Sequence, residues 1–173
     1  DVKNSKFGDP QHILEYLDRL TDEQEACFNL LNDRAELKGQ IGFLNLFHST
    51  QEDLADTCKR FNSGWFADIQ NFLMNSVPEK SGCAGMVIFE GQNAEGENCF
   101  FIKLRRAVKF SGIDLRTAED KLKELFGDLY MGGGGHAGAA SFRIHPLDEK
   151  EFLEKIEKVF DFFNAGLLAS TNK

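Results

Sequence analysis

Polar-tipped aromatic rings are scarce in this sequence: two Tyr and one Trp stand against seventeen Phe. Its aromatic content therefore serves packing, and any single Phe reads as core. No excess of basic residues exists either. The 28 acids outnumber the 20 Lys and Arg and leave a net charge of -8, which excludes the broad cationic surface that grips long duplex DNA by its phosphates. A short nucleotide in a local basic pocket remains compatible, because only the field near the ligand matters there. Cys27, Cys58, Cys83 and Cys99 form no Cys-x-x-Cys pair and have no His at zinc-finger spacing, so structural zinc is excluded. They read as reduced, mostly buried thiols of a cytoplasmic protein. No run of 18 apolar residues is present to span a membrane, and the opening residues do not read as a signal peptide. It begins at Asp1 and not at Met, which suggests a domain of something longer.

What is present is enough for one domain with a connecting helix, since 173 residues at 42% apolar content can bury a real core. Asp9-Pro10 reads as a helix start, followed by Ile13, Leu14, Leu17 and Leu20 at helical spacing. Thr21 and Gln24 fit a capping box for a second helix, with Ala26, Cys27, Leu30, Leu31 and Leu37 on its apolar face and Gly39 as its stop. Ile41 to Phe47 reads as a buried strand. A helix capped by Ser49 or Thr50 reaches Phe61, and Asn62-Ser63-Gly64 breaks it. Another helix runs from Trp65 to Met74, with Phe66, Ile69, Phe72 and Leu73 inward, and Pro78 to Gly82 is a loop.

Ala84 to Phe89 and Cys99 to Val108 read as a hairpin across a polar loop. In the second strand Phe100, Ile102 and Leu104 alternate with Phe101, Lys103 and Arg105, so one face is apolar and the other turns cationic. A helix over Thr117 to Phe126, a strand at Ser141 to His145 and a last helix from Pro146 or Leu147 to Phe163 complete the pass. The fold class is α/β: a mixed β-sheet flanked by helices, with an N-terminal helical connector. Residues 1–38 are expected to form the connector, 39–166 the domain and 167–173 a tail.

Between Asn98 and Ile113 lie Lys103, Arg105, Arg106 and Lys109 and not one acid. In a chain of this net charge, that local reversal suits a small anion site. Further on, Gly132 to Gly135 is a run of four glycines followed by His136. Such a run is costly to order and adds nothing to a core. It is explained where backbone must come close to a ligand, or where N–H groups converge on an anion. Ala137 to Ala140 reads as a short helical turn of small residues, and His136 stands where it can donate to a phosphate or a sugar. No Gly-Lys-Ser/Thr follows, so this is no Walker loop. The run precedes a strand, unlike the dinucleotide-binding glycines that open a helix after one.

Gly133-Gly134-Gly135-His136, then Ala137-Gly138, then Ala139-Ala140, resembles the hallmark of the DHH-associated domain, the C-terminal half of many DHH-family phosphoesterases. That family often has Gly at the next position, where Ser141 stands here. Its upstream Leu-Arg-Ser strand is matched by Leu104-Arg105-Arg106, with Gly112-Ile113-Asp114-Leu115 leading to the next helix. The order of elements agrees from about Ile41 to Phe163, and the glycine-histidine motif is the specific part. The resemblance implies a substrate-binding site in which Gly133, Gly134, Gly135 and His136 hold a phosphate and Arg105 pairs with it, Arg106 and Lys103 lying nearby. Arginine suits that role because its fork donates two parallel hydrogen bonds to an oxyanion.

In such enzymes an Asp-His-His triplet and further aspartates hold two divalent metals, Mn2+ or Mg2+, in a separate catalytic half. This sequence contains no Asp-His-His and no Asp-x-Asp. No catalytic or metal-ligating residue is therefore assigned to it, His12 and His48 included, and the chain alone is expected to be inactive. The expected partners are a DHH catalytic domain in cis and a short single-stranded oligonucleotide, cyclic dinucleotide or related phosphoester, with a homodimer possible. Exonuclease or phosphodiesterase action would belong to the whole. Two other readings stand beside this one: a stand-alone nucleotide- or nucleic-acid-binding module without catalysis, and a structural domain whose glycines are a hinge.

Overall fold

The computed structural model describes residues 22–47, 49–57 and 67–171. The helix expected from Asp9-Pro10, the break at Asn62-Ser63-Gly64, and His12, His48 and Cys58 lie outside them. Six strands form one mixed sheet flanked by helices, in the order β1-β2-β3-β4-β6-β5. β1 (Glu36–Lys38) and β2 (Ile41–Asn45) make a two-residue hairpin, and Gly39 takes φ 63° at its first turn position. β2 runs parallel to β3 (Ala84–Gln92), which pairs antiparallel with β4 (Asn98–Arg106) over its whole length. β4 then pairs with β6 (Ala139–Ile144), and β6 with the edge strand β5 (Tyr130–His136).

Strand alternation divides the core in two. On one face Met86, Ile88, Phe100, Ile102, Leu104, Phe142 and Ile144 are buried under α3 (Ala118–Phe126) and α4 (Glu149–Thr171), which bring Leu122, Phe126, Phe152, Ile156, Val159 and Phe163. Burying each such phenylalanine contributes about 1.5–3 kcal/mol. On the other face α1 (residues 22–32) and α2 (Ala67–Glu79) bring Cys27, Leu31, Ile69, Leu73, Met74 and Val77 onto Leu44, Val87 and Phe89. α2 packs on β2, β3 and β4. Beyond it the outer faces of β6 and β5 stay half-buried to exposed, and this uncovered part of the sheet carries the site described below.

α2 comes close because the sheet beneath it lacks side chains. Gly42 and Gly85 are cross-strand partners. A Cβ on Gly42 would stand 2.1 Å from the Val77 carbonyl, and one on Gly85 would stand 2.7 Å from the Pro78 nitrogen. Pro78, expected in a loop, lies instead in the last turn of the helix, which ends at Glu79. The proline ring leaves the last turn one backbone donor short, and the Val77 and Pro78 carbonyls at the helix end accept from Lys80, Ser81 and Gly82.

Four other expectations are corrected. The helix expected to reach Gly39 ends at residue 32; Leu37 lies in β1 and, like Leu30, is exposed. Tertiary pairing with β2 outweighs the helical spacing. Neither Ser49 nor Thr50 caps the next turn: Gln51 precedes the 3-10 turn Glu52–Leu54 without a side-chain cap, and Thr50 Oγ1 donates back to the Phe47 carbonyl. The last helix passes Phe163 to Thr171, because Leu167 is buried and Asn164 clamps the first hairpin. Asn164 Oδ1 accepts from the Gln40 N–H at 2.8 Å and its Nδ2 donates to the Lys38 carbonyl at 3.0 Å. Finally, the glycine run is strand β5, and Ala139-Ala140 open strand β6 with only Ala137-Gly138 as a turn. Ladder bonds to β6 supply the order that glycine lacks. Of the described cysteines, Cys27 and Cys99 are buried and Cys83 is half-buried. Among the described residues no helix is long and apolar enough to cross a membrane.

Candidate functional site

Register across the open part of the sheet sets three rows of residues on one face. Arg105 pairs with Ala139, which pairs with His136; Lys103 pairs with Ser141, which pairs with Gly134; Phe101 pairs with Arg143, which pairs with Gly132. The first two rows floor a groove of about 290 Å³, walled by Asn71 and Met74 of α2. Lys103, Arg105, Gly134 and His136 thus meet in one place, although up to 33 residues separate them in the chain.

Two polar residues of α2 hold the cations in position. Arg105 Nη1 donates to Asn75 Oδ1 at 2.5 Å, and Lys103 Nζ donates to Gln70 Oε1 at 2.9 Å. Lys103 also lies 5.5 Å from the centroid of the Phe89 ring, which stacks on Phe101. Among the described residues no carboxylate forms an ion pair with it. Burial first, and the Arg105 charge second, hold the Lys103 pKa below its ordinary value of 10.5. At the far side of the groove, the Gly138 N–H donates to His136 Nδ1 at 3.2 Å. With Nδ1 accepting, the neutral ring carries its proton on Nε2 and can donate from there.

The glycines of the run differ in what they do. A Cβ on Gly133 would meet the Ser141 carbonyl at 2.3 Å, and one on Gly135 the Ala139 carbonyl at 2.1 Å, so both are bare because β6 presses against them. Gly134 faces open space and lies in the groove. Gly132 sits at φ 126°, beside the register shift where Met131 bulges out of the ladder. Arg106 does not line the groove, although its guanidinium stands beside the Gly138 turn that follows His136. It points to the other face, where its Nη1 donates to the Ile113 carbonyl at 3.2 Å and holds the loop before α3. Asn75, Gln70, Ser141 and Arg143 escape the reading of the sequence. Gln70, Asn71 and Asn75 are a polar stripe at helical spacing, and Ser141 and Arg143 alternate with buried Phe142; both patterns are visible in the chain, but neither shows what it faces.

The arrangement can bind an anion: an ammonium, a guanidinium and an imidazole N–H converge over a strand with no side chain in the way. The same donors repel a divalent cation. Among the described residues, no three His, Cys, Asp or Glu side chains group as metal ligands.

No protein-family model and no curated protein matches the sequence. Solved structures do. A structure described as the DHH domain of a member of a ribosomal-protein family superposes at TM-score 0.51, with 17% identity over 88% of this chain. The fold is shared with a DHH-domain protein. That agrees with the architecture the glycine-histidine motif implied. The chain spans 33% of that protein's length. A pGpG-specific phosphodiesterase, PggH from Vibrio cholerae, superposes more loosely, at TM-score 0.38 with 11% identity over 80% of this chain and 40% of that one.

Proposed function

We propose that this chain is the substrate-binding, DHH-associated domain of a DHH-family phosphoesterase, and that its groove holds the phosphate end of a short oligonucleotide, cyclic dinucleotide or related phosphoester. The observation that carries this reading is the convergence of Arg105, Lys103 and His136 over the open backbone of Gly134. Arg105 supplies the forked donor, His136 an imidazole N–H, and Lys103 a charge kept poorly solvated until an anion arrives. The net charge of -8 disfavours long duplex and leaves a small ligand with a local positive field. Hydrolysis belongs to a DHH catalytic domain in cis, where manganese or magnesium would supply the activated water; among the described residues no three His, Cys, Asp or Glu side chains group to hold that metal.

His136→Ala tests the reading at the lowest structural risk, because the ring is exposed. Affinity for a 5′-phosphorylated dinucleotide falls about tenfold, the effect of losing one hydrogen bond to a charged group, while the melting temperature stays within a degree or so. An unchanged affinity removes His136 from the site.

A further inference from the structure

The floor of the groove does not end at its second row. Arg143, in the third row, lies on the same face of β6 as Ser141 and Ala139, one alternation further along. Its guanidinium leans over the edge strand: Nη2 would stand 3.8 Å from a Cβ on Gly132. The glycine strand is thus bracketed, with Arg143 over one end and His136 at the other. Arg143 is half-buried, and among the described residues it has no carboxylate partner. Its charge is felt nearby. Burial pushes Tyr130 up to about 12 and raises the Cys99 thiol, and at both sites Arg143 pulls the other way. With no carboxylate partner among the described residues, this arginine on a ligand-facing strand has its forked donors available to an anion.

We infer that Arg143 is a second anion subsite of the groove, taking a phosphate further along a linear oligonucleotide whose end lies at Arg105 and His136. This rests on the proposed phosphate-binding role of the groove. Rows two residues apart on a strand are separated by about 6.6 Å, a step similar to that between successive phosphates of an extended single strand. The first and third rows then lie about 13 Å apart, a distance one phosphate cannot bridge. Lys103 and Ser141 occupy the row between. The substrate class this selects is a linear chain of about three nucleotides or more, carrying its phosphates along β6. A mononucleotide fills only the first row.

The test compares binding of 5′-phosphorylated mono- and triadenylate by the chain, its Arg143→Met variant and its Arg105→Ala variant. Methionine keeps an unbranched stem over Gly132. Arg143→Met weakens the trinucleotide about tenfold and leaves the mononucleotide unchanged. It also lowers the slope of log affinity against log salt for the trinucleotide by about 0.7, the share of one single-strand phosphate. Arg143→Lys retains that slope and loses less affinity, which separates charge from fold. Equal weakening of both ligands by Arg143→Met, or no weakening of the trinucleotide while Arg105→Ala weakens both, overturns the second subsite alone. Unchanged mononucleotide binding in Arg105→Ala, or no binding of either ligand by the wild type, overturns the reading of the whole groove.

Discussion

Lys103 is an uncomfortable residue in the folded chain. Its ammonium is withdrawn from water beside Phe89, two positions from the like charge of Arg105, with the Gln70 amide oxygen to receive it. A group whose folded pKa lies below its unfolded value binds fewer protons folded than unfolded in the intervening window. Stability therefore rises with pH through that window, and at neutral pH the charge is a burden on the fold. Lys103→Met removes the burden. Its melting temperature at pH 7 equals or exceeds that of the wild type, the difference shrinks as pH climbs towards 10.5, and affinity for a short phosphorylated oligonucleotide falls severalfold. A melting temperature several degrees below wild type at pH 7 would show instead that the ammonium supports the fold. The alternation Phe101, Lys103, Arg105 is legible in the sequence, since period two leaves no other way to bury Phe100, Ile102 and Leu104. That Arg106 faces the other way follows from the same period. What one strand cannot show is which helix lies over it, so Asn75 and Gln70 stay out of sight.

At the scale of elements, β5 is the unusual piece. A strand of four glycines has little intrinsic preference for its conformation, and by composition it reads as a phosphate loop followed by a helical turn. Pairing with β6 decides otherwise. Gly134 and Gly135 share nearly the same backbone, at φ 159° and 155°, but differ in their surroundings. A methyl on Gly135 meets the Ala139 carbonyl at 2.1 Å, while one on Gly134 meets nothing. Gly135→Ala therefore costs at least about 2 kcal/mol more than Gly134→Ala in denaturant unfolding, as overpacking against a backbone does. Gly134→Ala, and Gly134→Val more so, carry the backbone strain of φ 159° and also lower ligand affinity by filling the groove. Equal stability losses at the two positions would mean that the strand does not press on β6 as described. The helix expected as far as Gly39 fails for the same reason as the expected loop: Leu37 keeps helical spacing with Leu30, but β2 offers residues 36–38 a ladder that no local signal announces.

For the whole molecule, the arrangement that matters is a sheet covered by helices on one face and half-covered on the other. Its cores are legible from apolar periodicity except at Leu30, Leu37 and Phe72, which that periodicity turns inward and the structure leaves exposed. The open half is not, because it depends on where α2 comes to rest. Gly42 and Gly85 let α2 sit directly on β2 and β3, and from there its polar stripe borders β4. The groove lies at the margin of the helix, lined by Asn71 and Met74. The measurement that tests the account most directly is fluorescence anisotropy of a labelled RNA of two to five nucleotides, titrated with this chain and with Arg105→Ala. The account predicts weak saturable binding, reduced between ten- and a hundredfold in the variant, the range expected for charged hydrogen bonds to a phosphate. Equal binding by both proteins would contradict it.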